Sequence, residues 1–547
     1  MSRVARIQQR LSSRLARTDI HDLLALAAFA ALAILVLLIF NDYAISNDEM
    51  VQHRYGEFIL AYYASGLTDQ AVFHFDNLYL YGGLFDVIAI LLDRVLPFDL
   101  FSIRHFLCGF IGVGGIVATW AVARLVAGPR AGLLALLALA VCGPWFGTMF
   151  NHTKDVPFAA AMMGATFFLL RGARDLPRPR QRDLLMFGLL LGCALGLRAT
   201  GLLLVVYAGL FVLLRLTDVA TWRDRAHFVG STLLRALPGV VIAYVIMIAA
   251  WPWAGLEPLN PIRAIVAFSH FHYGIQTLAF GKIYEMGEVP RWYIPAYLAI
   301  KLPLTILVGA FVALFTIAWA PGGGGVLRNP RQRESAMLAF IALFPVLCQV
   351  IGHGPAFTGM RHFIFVVPPL AALAGIGFDA LLTKFALKGR LLGATAIAGV
   401  VGAFVINAVT LIQLHPYEYL FFNPLISGLE GASRRFDMDY WSNIMPEAVD
   451  SLEAFLDQRE HNTSPRARYL VGVCGERESF EKEAKDDPRL VWVDEWEEAD
   501  FFISSTQMDC DRRMAGETVA TIERFGVPIG VVKDRRAITR PWLSRNH

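Results

Sequence analysis

Apolar runs of about 20 residues, each long enough to cross ~30 Å of hydrocarbon, recur from Leu23 to Leu411. They predict eleven spans, near residues 22–41, 105–126, 131–149, 156–171, 184–197, 199–215, 228–250, 293–319, 336–352, 363–383 and 391–413. The first lies deep behind a basic leader and lacks a clear small-residue cleavage site, so it reads as a retained span. Two long polar and aromatic segments, 42–104 and 251–292, interrupt the apolar pattern. In the first, residues 48–63 and 83–96 repeat at helical spacing, which predicts amphipathic helices lying on the membrane surface. After His415 the pattern changes. Polar helical stretches at 446–457 and 476–487 alternate with β-rich runs at 469–473, 490–493, 501–504 and 529–532, the signature of a small α/β domain. The expected architecture is a polytopic α-helical membrane protein of about eleven transmembrane helices. Its parts are an N-terminus over 1–21, a transmembrane domain over 22–414 and a C-terminal α/β tail over 415–547.

Composition agrees with that class: 56% of the 547 residues are hydrophobic and 17% charged. The net charge of +3 matters less than its distribution. Arg3, Arg6, Arg10, Arg14 and Arg17 precede the first span, and later basic clusters fall at 171–182, 215–225, 328–333 and 384–390. With eleven spans, every basic cluster lies on the N-terminal side. The first opposite segment is acidic, its carboxylates outnumbering Arg54 and Arg94. The positive-inside rule then puts the N-terminus in the cytoplasm and the tail outside, in the inner (plasma) membrane of a cell. Six cysteines are too scattered for a disulfide framework or zinc site; Cys474 and Cys510, in the external tail, are the pair free to oxidise. Nothing points to nucleic acid as a partner.

The same counting gathers three ionisable clusters at the external face: Asp48-Glu49 with His53-Arg54, His152 with Lys154-Asp155, and Arg361-His362. A fourth candidate is Arg198, within the apolar stretch 184–214. As a hairpin, that stretch has arms of about 14 and about 16 residues, or ~21 and ~24 Å at ~1.5 Å per residue. Its turn would sit below the outer surface, where an arginine is costly unless paired. Each cluster also has a plainer reading. Adjacent acids suit a solvated helix N-terminus, and single cations sit at headgroup level. Together, carboxylates that can act as a base and cations that can grip phosphate suggest a site for a charged group carried by a lipid.

The string Asp48-Glu49-x₃-His53-Arg54-Tyr55-x-Glu57 resembles the first-loop signature of GT-C membrane glycosyltransferases. Its nearest likeness is to the protein O-mannosyltransferase and lipid A aminoarabinose transferase group. Asn151-His152-Thr153-Lys154-Asp155-Val156-Pro157-Phe158 resembles their second external motif. Met360-Arg361-His362-Phe363 with Pro368-Pro369 resembles their late Arg-Tyr motif, with His362 in place of Tyr. His415-Pro416-Tyr417-Glu418-Tyr419 and Asp439-Tyr440-Trp441 resemble segments of uncharacterised bacterial members with an external tail. The resemblance implies a GT-C-like fold that moves a sugar from a polyprenyl-phosphate donor to a glycan, lipid or protein acceptor at the outer face, with inversion. By motif, Asp48 is the general base and Glu49 positions acceptor or donor. Asp155 orients Lys154 or is a second acid. Lys154, Arg361, Arg198 and Arg54 are the cations offered to the donor phosphate. His53, His152, His270 and His362 are candidates for substrate contact or, as in relatives that hold a divalent ion at this face, for metal. No cofactor is fixed by the pattern.

Two other classes stay in view. A transporter or flippase would carry ionisable residues near mid-membrane and an inverted repeat, whereas here the charges crowd one face. A scaffold acting through its tail gives no reason for acids and cations to recur on three external loops.

Overall fold

The computed structural model describes residues 19–270, 274–319, 329–459 and 468–540. The basic leader Arg3 to Arg17 and Arg328 lie outside the described residues. The chain is a multi-pass helical membrane protein. Among the described residues eight helices are long and apolar enough to cross a membrane, and a bent pair makes a ninth candidate. Each of the eleven predicted runs meets a helix, but Pro129–Ala140 and Gln181–Leu195 are too short to qualify alone. The two surface helices also form, as Glu49–Ala64 and Leu84–Asp93.

Burial sorts the helices into layers. The segment Arg361–Lys388 has 83% of its most apolar window buried, against 11% for Ile20–Ile39, so the former is the central post and the latter lies at the periphery. Lipid tails are as apolar as Leu, so helices here associate by close packing of small residues. A Cβ on Gly377 would stand 2.0 Å from the carbonyl oxygen of Gly309 on the neighbouring helix Leu304–Ala318. Gly188 and Gly239 make the same approach between Gln181–Leu195 and Trp222–Ala250, with 2.1 Å from the Gly188 Cβ position to the Gly239 carbonyl oxygen.

The bent pair shows how the tail enters the membrane part. Tyr293–Lys301 and Leu304–Ala318 meet at 113°, with Pro303 at the break. Proline ends the first helix and frees its last carbonyls. Asn423, from the chain beyond the last span, takes them up: its amide side chain donates to the carbonyls of Ala299 at 2.6 Å and Leu302 at 2.8 Å, and its backbone N–H to Ile300 at 2.8 Å. The same segment presses on the turn Gly143–Phe146, where a Cβ on Gly147 would lie 2.2 Å from the Tyr419 nitrogen. Residues 417–422 are therefore core, not surface.

Beyond the helix Met445–Arg459 the tail forms a five-stranded mixed sheet, from β3 (Tyr469–Cys474), β4 (Leu490–Trp492), β5 (Phe501–Ser505), β6 (Glu517–Arg524) and β7 (Val527–Asp534). The order is β4-β3-β5-β7-β6, with β4, β3 and β5 parallel and the last two antiparallel. The sequence pattern omits β6, a largely exposed edge strand whose residues are mostly polar. It also omits a hairpin in the second polar segment, β1 (Gln276–Ala279) with β2 (Lys282–Glu285). A disulfide joins Cys474 to Cys510 and fastens the turn Gln507–Arg512 to the end of β3. That turn holds the approach to the helix Met445–Arg459, since the Gln507 side chain accepts from Met438 N–H at 2.6 Å and donates to Asp437 at 2.8 Å.

The helix contact yields a test. Gly377→Ala should cost about 1–3 kcal/mol through overpacking and lower the thermal midpoint of the detergent-purified protein. Gly399→Ala, where nothing lies within 4 Å, should leave it unchanged or raise it. Equal midpoints for the two variants would contradict the packing described.

Candidate active site

Four of the predicted residues meet in one ion-paired cluster. The Arg361 guanidinium, at the start of the central segment, bonds Asp48 through Nη2 and Asp155 through Nε, the latter at 3.1 Å. The other Asp155 oxygen takes Arg198. These residues come from four places: the N-cap of Glu49–Ala64, the first turn of Asp155–Arg174, the hairpin turn at 198, and the start of Arg361–Val366. The 198 turn lies between the helices Gln181–Leu195 and Leu203–Leu216, and its arginine is paired with Asp155. Asp48 is the most open member, with 36% of its side chain exposed against 4% for Asp155.

Lys154 is buried beside this cluster, its ammonium 4.2 Å from the centre of the Tyr81 ring, which Arg198 also approaches. Among the described residues no carboxylate pairs with it directly. Burial pushes its pKa down to about 8, and Asp48 pulls the other way. His152 is fully buried, and burial holds its imidazole down to about 3, so the ring is neutral. His362 packs its ring on Phe357, 4.6 Å between centroids.

The tail closes the cluster. Trp441 lies 4.3 Å under the Arg361 guanidinium and donates its indole N–H to His152 Nε2. Asp439 holds the turn that leads into the helix Met445–Arg459 by accepting from Asn443 N–H at 2.8 Å and Ile444 N–H at 3.0 Å, and also accepts from the Tyr419 hydroxyl. Burial raises its pKa to about 6. A narrow cavity behind Arg361 is lined by Lys301, Tyr297, Thr358, Tyr419, Asp437 and Tyr440. In the sequence the one trace of this role of the tail is the string Asp439-Tyr440-Trp441.

Other predicted residues stand apart. Glu49 is wholly buried behind the cluster, accepting from Ser46 N–H at 2.9 Å and lying 3.3 Å from Arg104 Nε and 3.2 Å from His105 Nε2. Burial alone would raise its pKa, but His105 and Arg104 hold it below the usual carboxylate range. Arg104, passed over as the edge of a span, is a central strut: it also donates to Asp86 at 2.9 Å and Thr153 at 3.1 Å, joining three segments. His53 sits near Glu57 at 3.7 Å, and Arg54 is exposed. His270 is exposed and hydrogen-bonded to Ser269 and the Val266 carbonyl. Among the described residues no three His, Cys, Asp or Glu side chains converge to hold a metal ion.

Residues 87–250 match the family described as dolichyl-phosphate-mannose-protein mannosyltransferase. The resemblance to GT-C membrane glycosyltransferases therefore holds. The matched stretch contains Arg104, His152, Lys154, Asp155 and Arg198, and excludes Asp48 and Arg361. No curated protein matches the chain. Among solved structures it is similar to ArnT from Cupriavidus metallidurans bound to undecaprenyl phosphate, at 17% identity over 94% of this chain and 98% of that one, TM-score 0.47. It is also similar to the Archaeoglobus fulgidus oligosaccharyltransferase in complex with zinc and sulfate, at 11% identity over 87% and 68%, TM-score 0.42. A third is the arabinofuranosyltransferase AftD from Mycobacteria, at 12% identity over 93% and 41%, TM-score 0.41.

Arg104 supplies the test of this scaffold. Arg104→Met strands the buried Glu49 and Asp86 carboxylates and should cost about 3–5 kcal/mol. Adding Glu49→Leu should recover part of that loss, because the two changes act on one contact. Strictly additive losses in thermal midpoint would show that the pair is not coupled.

Proposed function

We propose that the protein is a membrane glycosyltransferase that moves a sugar from a polyprenyl-phosphate donor to an acceptor at the outer face of the cytoplasmic membrane. The observation that carries this reading is the single cluster made by Asp48, Asp155, Arg198 and Arg361 with Lys154 beside it. The family match over residues 87–250 supports the same reaction class. The reading keeps 22–414 as the membrane domain, N-terminus cytoplasmic, and 415–547 as the external tail.

The reaction balances on these groups. An acceptor hydroxyl forms a bond to the sugar C1 while the bond from C1 to the phosphate oxygen breaks, with inversion. Asp48, the open carboxylate, takes the hydroxyl proton. The phosphate leaves with added negative charge, which fixed cations stabilise best where water is excluded. Arg361 and Arg198 are built for bidentate contact with phosphate oxygens, and Lys154 adds a point charge. Before donor binds, Asp155 holds the two guanidinium groups in register. Glu49 acts one layer back, by fixing the start of the helix that carries Asp48. A divalent ion has no ligand set among the described residues, and no step is assigned to one.

Asp48→Asn should lower sugar transfer in isolated membranes by ~10²–10⁴-fold with normal insertion; full activity would reject its role as base. Arg361→Ala should chiefly raise the KM for donor. The pH profile is a separate test. Lys154 is charged below its pKa of about 8 and loses its charge above it, so kcat/KM for donor should fall as pH rises through that value. Lys154→Arg should move the fall to higher pH. An unchanged fall in that variant would take Lys154 out of the site.

A further inference from the structure

In this structure the proposed base and the proposed phosphate clamp occupy each other, since Arg361 bonds both Asp48 and Asp155. Arg361 must let go of Asp48 before that carboxylate can accept a proton, and must turn at least part of its fork to the phosphate. A bidentate grip on phosphate through the Nε–Nη2 edge, the edge that now holds the two carboxylates, also takes Nε from Asp155 Oδ2 while Arg198 stays on Oδ1. A bare carboxylate oxygen in a buried site is expensive, so a replacement donor is needed close by.

His152 meets that need. Its side chain is fully buried, three residues before Asp155. Nε2 accepts from the Trp441 indole N–H, which can only donate. A neutral imidazole carries one proton, so it must sit on Nδ1. That Nδ1–H has no partner among the described residues. It stands 4.0 Å from Asp155 Oδ2, too far for a hydrogen bond and near enough for a small turn of either side chain to make one. Buried polar groups are nearly always paired, so an orphan beside a reacting cluster marks a contact made in another state. Aromatic rings of the tail enclose the imidazole, with Trp441 at 5.3 Å and Tyr440 at 5.9 Å between centroids. Trp441 touches both ends of the exchange, because its ring also underlies Arg361.

We propose that His152 is a positioning residue whose Nδ1–H takes over Asp155 when Arg361 turns to the donor phosphate, with Trp441 fixing the tautomer that makes this possible. The tail thus takes part in donor capture through one indole. The inference rests on the glycosyltransferase reading of the same site, and it assigns His152 no contact with the reacting atoms.

The test uses the full-length protein in detergent, polyprenyl phosphate as the probe, and a thermal midpoint for every variant. His152→Phe removes the donor and should weaken probe binding on the order of tenfold, the loss of one buried hydrogen bond to a charged group. His152→Asn keeps an N–H near the Nδ1 position and should bind within about threefold of wild type. Trp441→Phe keeps a ring under Arg361, frees the tautomer, and should fall between the two. Wild-type affinity in His152→Phe with binding lost in Arg361→Ala would overturn the exchange and leave the glycosyltransferase reading standing. So would a His152→Asn variant with a normal midpoint but the same defect as His152→Phe. Unchanged affinity in all four variants, Arg361→Ala included, would remove the phosphate site itself.

Discussion

The Arg361 guanidinium, held between Asp48 and Asp155 and laid on the Trp441 ring, is the contact on which the rest of the site depends. Taking an arginine and a carboxylate out of water costs several kcal/mol per ion, which their attraction offsets only with good geometry and further hydrogen bonds. Here the geometry comes from distant parts of the chain. A short surface helix presents Asp48, a membrane helix opens with Asp155, and the central post opens with Arg361. An arrangement this demanding to assemble adds little stability by comparison with apolar packing.

The tail is part of that boundary. Asn423 satisfies carbonyls freed by the break at Pro303, residues 418–421 lie on Gly143 and Gly147, and Trp441 reaches His152 and Arg361. The disulfide and the Gln507 contacts steady the turn that delivers residues 437–444. A soluble-looking domain therefore bears directly on the electrostatics of the Arg361 cluster, through side chains far from its own sheet.

How much of this can be read from the chain depends on the range of the interaction. The spans are legible because hydrocarbon thickness imposes a local length on apolar runs. The placement of Asp48, Asp155, Arg198 and Arg361 near one face follows from counting those spans, and Arg198 stands out because a lone arginine between short apolar arms must have a partner. The contact between Trp441 and His152 spans 289 residues and leaves no local pattern. Arg104 looks like the edge of a span, because nothing nearby shows the three segments it joins. Strand β6 escapes because an exposed edge strand has little reason to be apolar, and the β1–β2 hairpin turns on Phe280-Gly281 rather than on an Asn-Gly or Asp-Gly pair. Glu49 shows the opposite effect. A carboxylate beside the proposed base looks catalytic in sequence, yet helix geometry turns it inward to Arg104 and His105.

The most direct test is a structure of the protein with polyprenyl phosphate bound. Phosphate density should be held by Arg361, Arg198 and Lys154, with Asp48 released from Arg361 and facing open space beside it. Phosphate bound elsewhere, or bound here with the Asp48 to Arg361 pair intact, would contradict it.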